Sequence, residues 1–434
     1  MDRLRRILKP RLGIMCVWVL GFIFFAHNMH MQLASDDLAW LRGEAPTVFD
    51  QYRLIPRLLF ILLYRLAGPN PAVALAVIFI FHSANMLFVV SLAFRFWKDS
   101  LASVASAWIF MINPLTLSTL TWISCFSYIL GTSMALLAIL FFCRGCSSSR
   151  ALLWQLAAVA CYGIGLFCSH ELLFLPVIFF LLGWLYGGRS FVQTSLVSGS
   201  AMLLGLLTNN FFYNFESYGV ETARLFHLDF ASVFTSSALS IGVSLGAAYL
   251  VSFFVFPESF LQFVFSEPVR WGITLLLLTG ALFLHKPDKG WRNWLSLALS
   301  FVALITPFIL RLYLMPSSVN YDISYVLSGR VFYLSFVLIA IVGGALIAQV
   351  FRACANNRML RLLAQALPVP VYLFALCVLY SPKDFMGLSV LSGASQSFPL
   401  PWNPYYENQP VWLASLLIVP LVAYMRQIFE LGSD

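Results

Sequence analysis

Long, almost uninterrupted apolar segments are the feature of this 434-residue sequence that most restricts its fold. Apolar residues make up 61% of the chain, charged residues make up only 10%, and the mean hydropathy is +0.86. Several segments run for about twenty residues, which is the length of helix that crosses a bilayer. They lack the strict alternation of membrane β-strands. We therefore predict an all-α fold, a polytopic transmembrane helical bundle, rather than a soluble domain.

The apolar segments predict about 11–13 spans in a single transmembrane domain over residues 1–434. A core covers about 12–351, and C-terminal spans cover about 360–426. The predicted spans lie near 12–30, 72–96, 101–113, 125–143, 151–168, 171–187, 192–212, 231–256, 271–285, 293–315, 331–351, 360–380 and 411–426. Cations in the short connecting loops assign these loops to the cytoplasm, provided that 231–256 folds back or breaks.

Positive residues gather at the N-terminus (Met1–Arg11) and in the short loops, and the net charge is +8. This distribution is what sets the orientation of a membrane protein, so no nucleic-acid partner is predicted. The N-terminus is expected in the cytoplasm, and the loop over 31–71 then faces outward. No cleavage motif follows the first span, which therefore reads as an uncleaved anchor.

Two adjacent acids, Asp36 and Asp37, follow the first predicted span directly. Ionisable groups beside lipid are costly and usually have a task. One interpretation is structural, because an aspartate is a favourable N-cap for a short helix over Leu38–Arg42. The other interpretation is catalytic, and the residues that follow the pair favour it.

Arg53 and Arg57 lie four residues apart in an otherwise apolar segment. The spacing predicts an interfacial helix in the first outer loop, with its apolar side in lipid and its arginines toward the polar layer. Two interpretations are open. The arginines attract anionic headgroups, or they form a phosphate clamp, since guanidinium groups bind phosphate oxygens in a bidentate way.

Several short motifs follow one another between about residue 30 and residue 350. They are Asp36–Asp37, the Arg53/Arg57 helix, Gly68–Pro69–Asn70–Pro71, His82–Ser83–Ala84–Asn85, Asn113–Pro114 with Thr121–Trp122–Ile123–Ser124, Ser169–His170–Glu171 and Ser328–Gly329–Arg330. In this order they resemble the GT-C glycosyltransferases, both the bacterial integral-membrane enzymes and the transmembrane O-mannosyltransferases with tetratricopeptide repeats. The chain departs from that pattern at His170, where lysine is usual, at Ser335, where proline is usual, and in lacking the repeats.

The resemblance implies an inverting transfer of a sugar from a polyprenyl-phosphate-linked donor to an acceptor hydroxyl. It implies a multi-pass protein of the bacterial inner membrane with its active site on the periplasmic face. The acceptor is a glycan, a lipid or a protein. The implied catalytic residues are Asp36, as the base, and Asp37, which orients Asp36 or the acceptor; the reverse assignment of the two roles stays open. The implied phosphate-binding residues are Arg53, Arg57, His170 and Arg330, and the substrate-lining candidates are Trp40, Trp122, Glu171 and Tyr333.

Each of these candidates also has a structural interpretation. His170 suits a helix cap or packing, and Glu171 suits an ion pair. Trp40 and Trp122 are typical of membrane interfaces. His82 and Asn85, one turn apart within a span, most often mark hydrogen bonds between helices. The chemistry requires no cofactor, and Asp36 and Asp37 are the candidate ligands if Mg²⁺ or Mn²⁺ takes part.

Two other functions are compatible with the sequence. A transporter or flippase of lipid-linked glycans would use the same spans and outer cations, but transporters carry ionisable residues deep within spans. Here Asp, Glu and Lys lie mainly at span edges and in loops. An O-antigen polymerase or ligase would rely on a large late outer loop, whereas the loop over 381–410 is of moderate size and has few charges.

Overall fold

The computed structural model describes residues 13–15, 17–19, 21, 22, 25, 53–68, 70–111, 119, 120, 123–169, 172, 173, 175–186, 191–212 and 333–356. Within these residues the regular secondary structure is helical, without strands, as the predicted all-α class requires. The helices are α1 (Leu54–Ala67), α2 (Pro71–Trp97), α3 (Ser100–Met111), α4 (Phe126–Ser147), α5 (Ala151–Leu166), α6 (Leu175–Tyr186), α7 (Phe191–Phe212) and α8 (Tyr333–Asn356). A 3₁₀ turn at Ile123–Cys125 precedes α4.

Two of the described helices, α2 and α4, are long and apolar enough to cross a membrane. They have 27 and 22 residues. At 1.5 Å per residue these helices are about 40 Å and 33 Å long, against a hydrocarbon core of about 30 Å. Helices α3, α5 and α6 are apolar but shorter, with 12, 16 and 12 residues. Membrane association is therefore supported in the described part of the chain, and the number of spans stays a prediction.

The Gly-Pro-Asn-Pro motif between α1 and α2 is a helix stop followed by a helix start. Gly68 has a positive φ of 66°, which glycine adopts without strain, and its amide donates to the Tyr64 carbonyl at 2.8 Å. Asn70 is the N-cap of α2, and its Oδ1 accepts a hydrogen bond from the Ala72 amide at 3.0 Å. Pro71 begins α2, where its missing N–H costs nothing. Ending one helix and starting the next therefore explains Gly68, Asn70 and Pro71 of this motif.

Helix α2 is central in the described part of the bundle and packs against α3, α4 and α8. Helix α4 also packs on α5 and α6, and α7 packs on α5 and α6. The described part of the first predicted span is helical and lies along α2. Trp18 donates from Nε1 to Ser83 Oγ at 3.0 Å, and the ring of Phe25 stacks on Phe79 with centroids 4.9 Å apart. The later residue of this segment, Phe25, meets the earlier residue of α2, Phe79. The segment therefore runs antiparallel to α2, toward the beginning of that helix.

Helices α8 and α3 approach each other closely at Gly344. A Cβ atom built on Gly344 of α8 would lie 2.2 Å from Ser106 Oγ and 2.6 Å from the Ala102 carbonyl oxygen of α3. Small residues at a crossing point allow two helix backbones to pack closely. Two polar contacts also attach α8 to the residues at the end of α2 and just before α3. Trp97 Nε1 donates to the Ile341 carbonyl at 3.2 Å, and Arg352 pairs with Asp99 at 2.5 Å.

Asp99 has two roles in this packing, and they can be separated by mutation. Its Oδ1 accepts a hydrogen bond from the Leu101 amide at 3.0 Å, which caps α3, and its Oδ2 pairs with Arg352, whose side chain is 59% exposed. We expect Arg352→Gln to lower the free energy of unfolding by less than about 1 kcal/mol, because exposed ion pairs contribute little. We expect Asp99→Ala to cost about 1 kcal/mol more, because the cap is also lost.

The matched control is Asp99→Asn, which keeps an oxygen for the Leu101 amide and loses the charge. Its thermal unfolding in detergent should resemble that of Arg352→Gln rather than that of Asp99→Ala. Equal losses in Asp99→Asn and Asp99→Ala would contradict the capping role.

Candidate functional site

The structure describes three of the predicted site residues, Arg53, Arg57 and Tyr333. The other predicted site residues are outside the described part of the chain, and their roles stay predictions. These residues are Asp36, Asp37, Trp40, Trp122, His170, Glu171 and Arg330.

Arg53 is held against the first turn of α4. It is the residue that precedes α1, and its Nη2 donates a hydrogen bond to the Tyr128 hydroxyl at 3.1 Å. Its guanidinium carbon also lies 5.2 Å from the centroid of the Tyr128 ring, within the range of a cation–π interaction. Arg57 follows in the first turn of α1 and is half-buried. The predicted arginine helix is therefore present, with one arginine at its cap and one inside it.

The side of α1 that faces away from α4 is an exposed row of leucines. Leu54, Leu58, Leu62 and Leu66 repeat every four residues and are 39–76% exposed, whereas Phe60 is fully buried. The ring of Phe60 packs on Phe126 of α4 with centroids 5.1 Å apart. Helix α1 thus has one exposed apolar side and one side that packs on α4, and its predicted place at the membrane interface stays a prediction.

The beginning of α1 also contacts the connection between α5 and α6. The Ile55 amide donates to the Phe167 carbonyl at 3.4 Å. Ser169, two residues further, is buried, and a Cβ atom built on Gly131 of α4 would lie 2.8 Å from its Cβ. Ser169 is the first residue of the Ser-His-Glu motif. The arginine helix and the start of this motif therefore pack against the same first turns of α4.

His82 connects three helices at the centre of the described bundle. It is fully buried and lies eleven residues after the start of α2, or about 16 Å along the axis. The Tyr333 hydroxyl is 2.5 Å from its Nδ1, and the Met111 carbonyl oxygen is 3.4 Å from its Nε2. A carbonyl can only accept, so Nε2 carries the proton. Nδ1 of the neutral ring then accepts from the Tyr333 hydroxyl.

Asn85, one turn further along α2, binds the same turn of α4 as Arg53 does. Its Nδ2 donates to the Ile129 carbonyl at 3.0 Å, next to Tyr128 in sequence. Its Oδ1 is buried without a hydrogen-bond partner among the described residues. The interpretation of His82 and Asn85 as hydrogen-bonding residues between helices is confirmed. Tyr333 is fully buried against His82 and Phe110, and its predicted contact with substrate stays a prediction.

Five chain segments thus end or begin around the middle of α2. These are the start of α1 at Arg53, the end of α3 at Met111, the first turn of α4 at Tyr128, the turn after α5 at Ser169 and the start of α8 at Tyr333. The charged residues described at this level are Arg53 and Arg57, and the one acidic residue in the described part of the chain, Asp99, lies just after the C-terminal end of α2. Guanidinium groups in such a position bind anions, phosphate above all. The described residues contain no cluster of three or more His, Cys, Asp or Glu that could hold a metal ion.

Sequence reasoning did not single out Tyr128, which fixes Arg53. A tyrosine at the start of an apolar helix is too common at membrane interfaces to be informative alone. No protein-family model and no curated protein matches this sequence.

Proposed function

We propose that this protein is an integral-membrane, inverting glycosyltransferase that transfers a sugar from a polyprenyl-phosphate-linked donor to an acceptor hydroxyl on the extracytoplasmic face. The observation that carries the proposal is the attachment of Arg53 to Tyr128, beside the contact between Ile55 and Phe167. This attachment brings the arginine helix to the turn that begins the Ser-His-Glu motif. The first residues of two of the motifs behind the resemblance to GT-C enzymes thereby lie at the start of α4.

The direction of the first helical segment gives further support. Trp18 contacts Ser83 and Phe25 contacts Phe79, so this segment runs toward the beginning of α2. Arg53 lies level with the middle of α2, at the start of α4, and away from the end of α2 that precedes Asp99. Asp36 and Asp37 follow Phe25 by eleven and twelve residues in the sequence. A base and an anion-binding group on one side of the membrane are what the proposed reaction needs.

In the proposed reaction, Asp36 or Asp37 takes the proton of the acceptor hydroxyl while its oxygen attacks the anomeric carbon. The bond between that carbon and the phosphate oxygen breaks, and the electron pair leaves with the polyprenyl phosphate. The new bond forms on the opposite face, so the anomeric centre inverts. No acid has to protonate the leaving group, because arginines stabilise the phosphate anion as its charge develops.

Arg53 is suited to this task because Tyr128 already fixes its guanidinium group. A preorganised guanidinium loses less side-chain entropy when it binds phosphate than a free one does. Arg57, one turn further, would add a second cation. His170 and Arg330 remain candidates for further contacts with the phosphate.

One observation favours a transporter or flippase of lipid-linked glycans as a second candidate. His82 is an ionisable residue buried in the middle of α2, and such residues often mark transport pathways. Both of its ring nitrogens are engaged by Tyr333 and Met111, which supports a structural role instead. The two functions differ in their product, since only the transferase forms a new glycosidic bond.

The decisive experiment uses the purified full chain in proteoliposomes with labelled polyprenyl-phosphate sugars. We expect sugar transfer by the wild type, and a loss of at least about 100-fold in Asp36→Asn/Asp37→Asn, because the general base is gone. Asp99→Asn is the matched control, since it removes an acid from the other end of α2 and should leave transfer unchanged. Transfer should also persist in EDTA if the arginines alone neutralise the phosphate.

Unchanged transfer in the double variant would refute the proposed mechanism. Movement of the donor across the bilayer without any glycosylated product would instead establish the transporter. Loss of transfer in EDTA with recovery on adding Mn²⁺ would show that Asp36 and Asp37 act through a metal ion.

A further inference from the structure

A second cationic surface lies at the far end of α2 and α4, away from the candidate site. Helix α2 ends here, α3 begins, α4 ends and α5 begins. The described cations of this end are Arg95, Lys98, Arg144, Arg150 and Arg352. Asp99 is the one acid in the described part of the chain, and it pairs with Arg352. The surface therefore carries a clear excess of positive charge.

Three of these cations differ in what they contact. Arg95 is directed inward, where its Nη2 donates to the Cys143 carbonyl and lies 3.4 Å from Ser147 Oγ. It binds the end of α4 and serves the fold. Arg144 and Arg150 are exposed and flank the turn between α4 and α5. Their charges are directed to the surroundings of the protein.

Arg144 has a defined position despite its exposure. Its guanidinium carbon lies 4.4 Å from the centroid of the Trp154 ring, in the first turn of α5. The Trp154 ring also packs on Phe141 at 5.5 Å. Cation–π stacking on a half-buried indole restricts the guanidinium group and leaves its N–H donors available at the rim.

Apolar side chains continue directly from these cations along α5. Leu152, Leu153 and Leu156 are 61%, 58% and 58% exposed. Exposed leucines next to arginines and a tryptophan match the chemistry of the membrane interface, where headgroups, the carbonyl layer and acyl chains follow one another. We call this set the α4–α5 lipid surface; it consists of Arg144, Arg150, Leu152, Leu153, Trp154 and Leu156.

We propose that the α4–α5 lipid surface binds an anionic phospholipid. Arg144 and Arg150 contact the headgroup phosphate, and the leucines contact the acyl chains. A soluble anion would use the arginines and leave the leucines without a role, whereas a neutral lipid would use the leucines and leave the arginines without one. The combination selects a ligand that has both parts, and each arginine near an anionic membrane surface contributes about 1 kcal/mol.

The test measures thermal unfolding of the purified full chain in a neutral detergent with three additives. These are phosphatidylglycerol, phosphatidylcholine and glycerol 3-phosphate, which supply both parts, a zwitterionic lipid and the free anion, respectively. We expect phosphatidylglycerol to raise the unfolding midpoint in a concentration-dependent way, because a ligand that binds the folded state stabilises it. The other two additives should have little effect.

Arg144→Gln/Arg150→Gln should bind phosphatidylglycerol roughly 30-fold more weakly, as titrated by the same shift or by native mass spectrometry. Arg65→Gln is the control, because Arg65 is an exposed arginine of α1 away from this surface, and its titration should match the wild type. Arg144→Lys keeps the charge and loses the flat stacking on Trp154, so it should fall between the two.

A wild-type titration in Arg144→Gln/Arg150→Gln would overturn the proposal. An equal shift with phosphatidylcholine would overturn the role of charge, and an equal shift with glycerol 3-phosphate would overturn the role of the leucines. The unfolding midpoint of each variant without lipid shows whether the variant folds, since these exposed side chains should leave it unchanged.

Discussion

Replacing Gly344 with alanine or leucine is expected to separate α8 from α3. Any Cβ atom at this position would lie 2.2 Å from Ser106 Oγ and 2.6 Å from both the Ala102 carbonyl oxygen and the Ser106 amide nitrogen. Two of these atoms belong to the backbone of α3 and cannot rotate away. The helices would have to move apart, and the buried face of α8 would lose contact along its length.

We expect Gly344→Ala to lower the free energy of unfolding by about 2–3 kcal/mol, at the upper end of overpacking effects, and Gly344→Leu to cost more. Domain stabilities are about 5–15 kcal/mol, so the leucine variant should aggregate or unfold well below the wild-type temperature. Thermal unfolding in detergent and size-exclusion chromatography measure both effects.

The matched control is Gly199→Ala in α7. Gly199 is also inside a helix, but a Cβ atom there would have no neighbour within 4 Å. Alanine favours helix over glycine by about 1 kcal/mol, so this variant should be as stable as the wild type or slightly more stable. Similar unfolding temperatures for Gly344→Ala and Gly199→Ala would show that α8 does not lie this close to α3.

Tyr333→Phe and His82→Phe are expected to destabilise the protein separately and to compensate each other when combined. Tyr333→Phe leaves His82 Nδ1 buried without its donor, and His82→Phe leaves the Tyr333 hydroxyl without its acceptor. A buried polar group without a partner costs about 1–3 kcal/mol, more than the net value of the bond itself. In the double variant neither group of the pair remains.

The double variant should therefore be more stable than the sum of the single effects indicates, by about 1–2 kcal/mol. Tyr162→Phe provides the control, because Tyr162 is also a buried tyrosine but donates to the Leu173 carbonyl at 3.3 Å. Its effect should add to that of His82→Phe. Strict additivity between His82→Phe and Tyr333→Phe would contradict the hydrogen bond.

The helices themselves could be predicted from the sequence where the apolar segment was long. The spans predicted near 72–96 and 125–143 correspond to α2 (Pro71–Trp97) and α4 (Phe126–Ser147) within a few residues. These two predictions depend only on hydrophobicity and on local signals such as Asn70–Pro71, which act within a few residues of the helix end.

The contacts between helices could not be predicted in the same way. His82 and Tyr333 are 251 residues apart, and no periodicity relates them. Gly199 and Gly344 both lie inside apolar helices, yet only Gly344 meets a neighbouring backbone. The partner of Arg53 was equally unpredictable, because any of several aromatic side chains could have been adjacent. Tertiary packing decides each of these cases, whereas the sequence pattern records only which residues are apolar.

The late position of α8 in the chain has a consequence for biosynthesis. Tyr333 is synthesised 251 residues after His82, and at about 5–20 residues per second this interval lasts about 10–50 s. During that time His82 has no tyrosine to accept from, and the face of α3 at Ala102 and Ser106 lacks α8. Until α8 is made, the nascent protein therefore lacks the hydrogen bond between Tyr333 and His82 and the packing of Gly344 on α3. Helix α8 thus completes, late in synthesis, contacts whose other half is made much earlier.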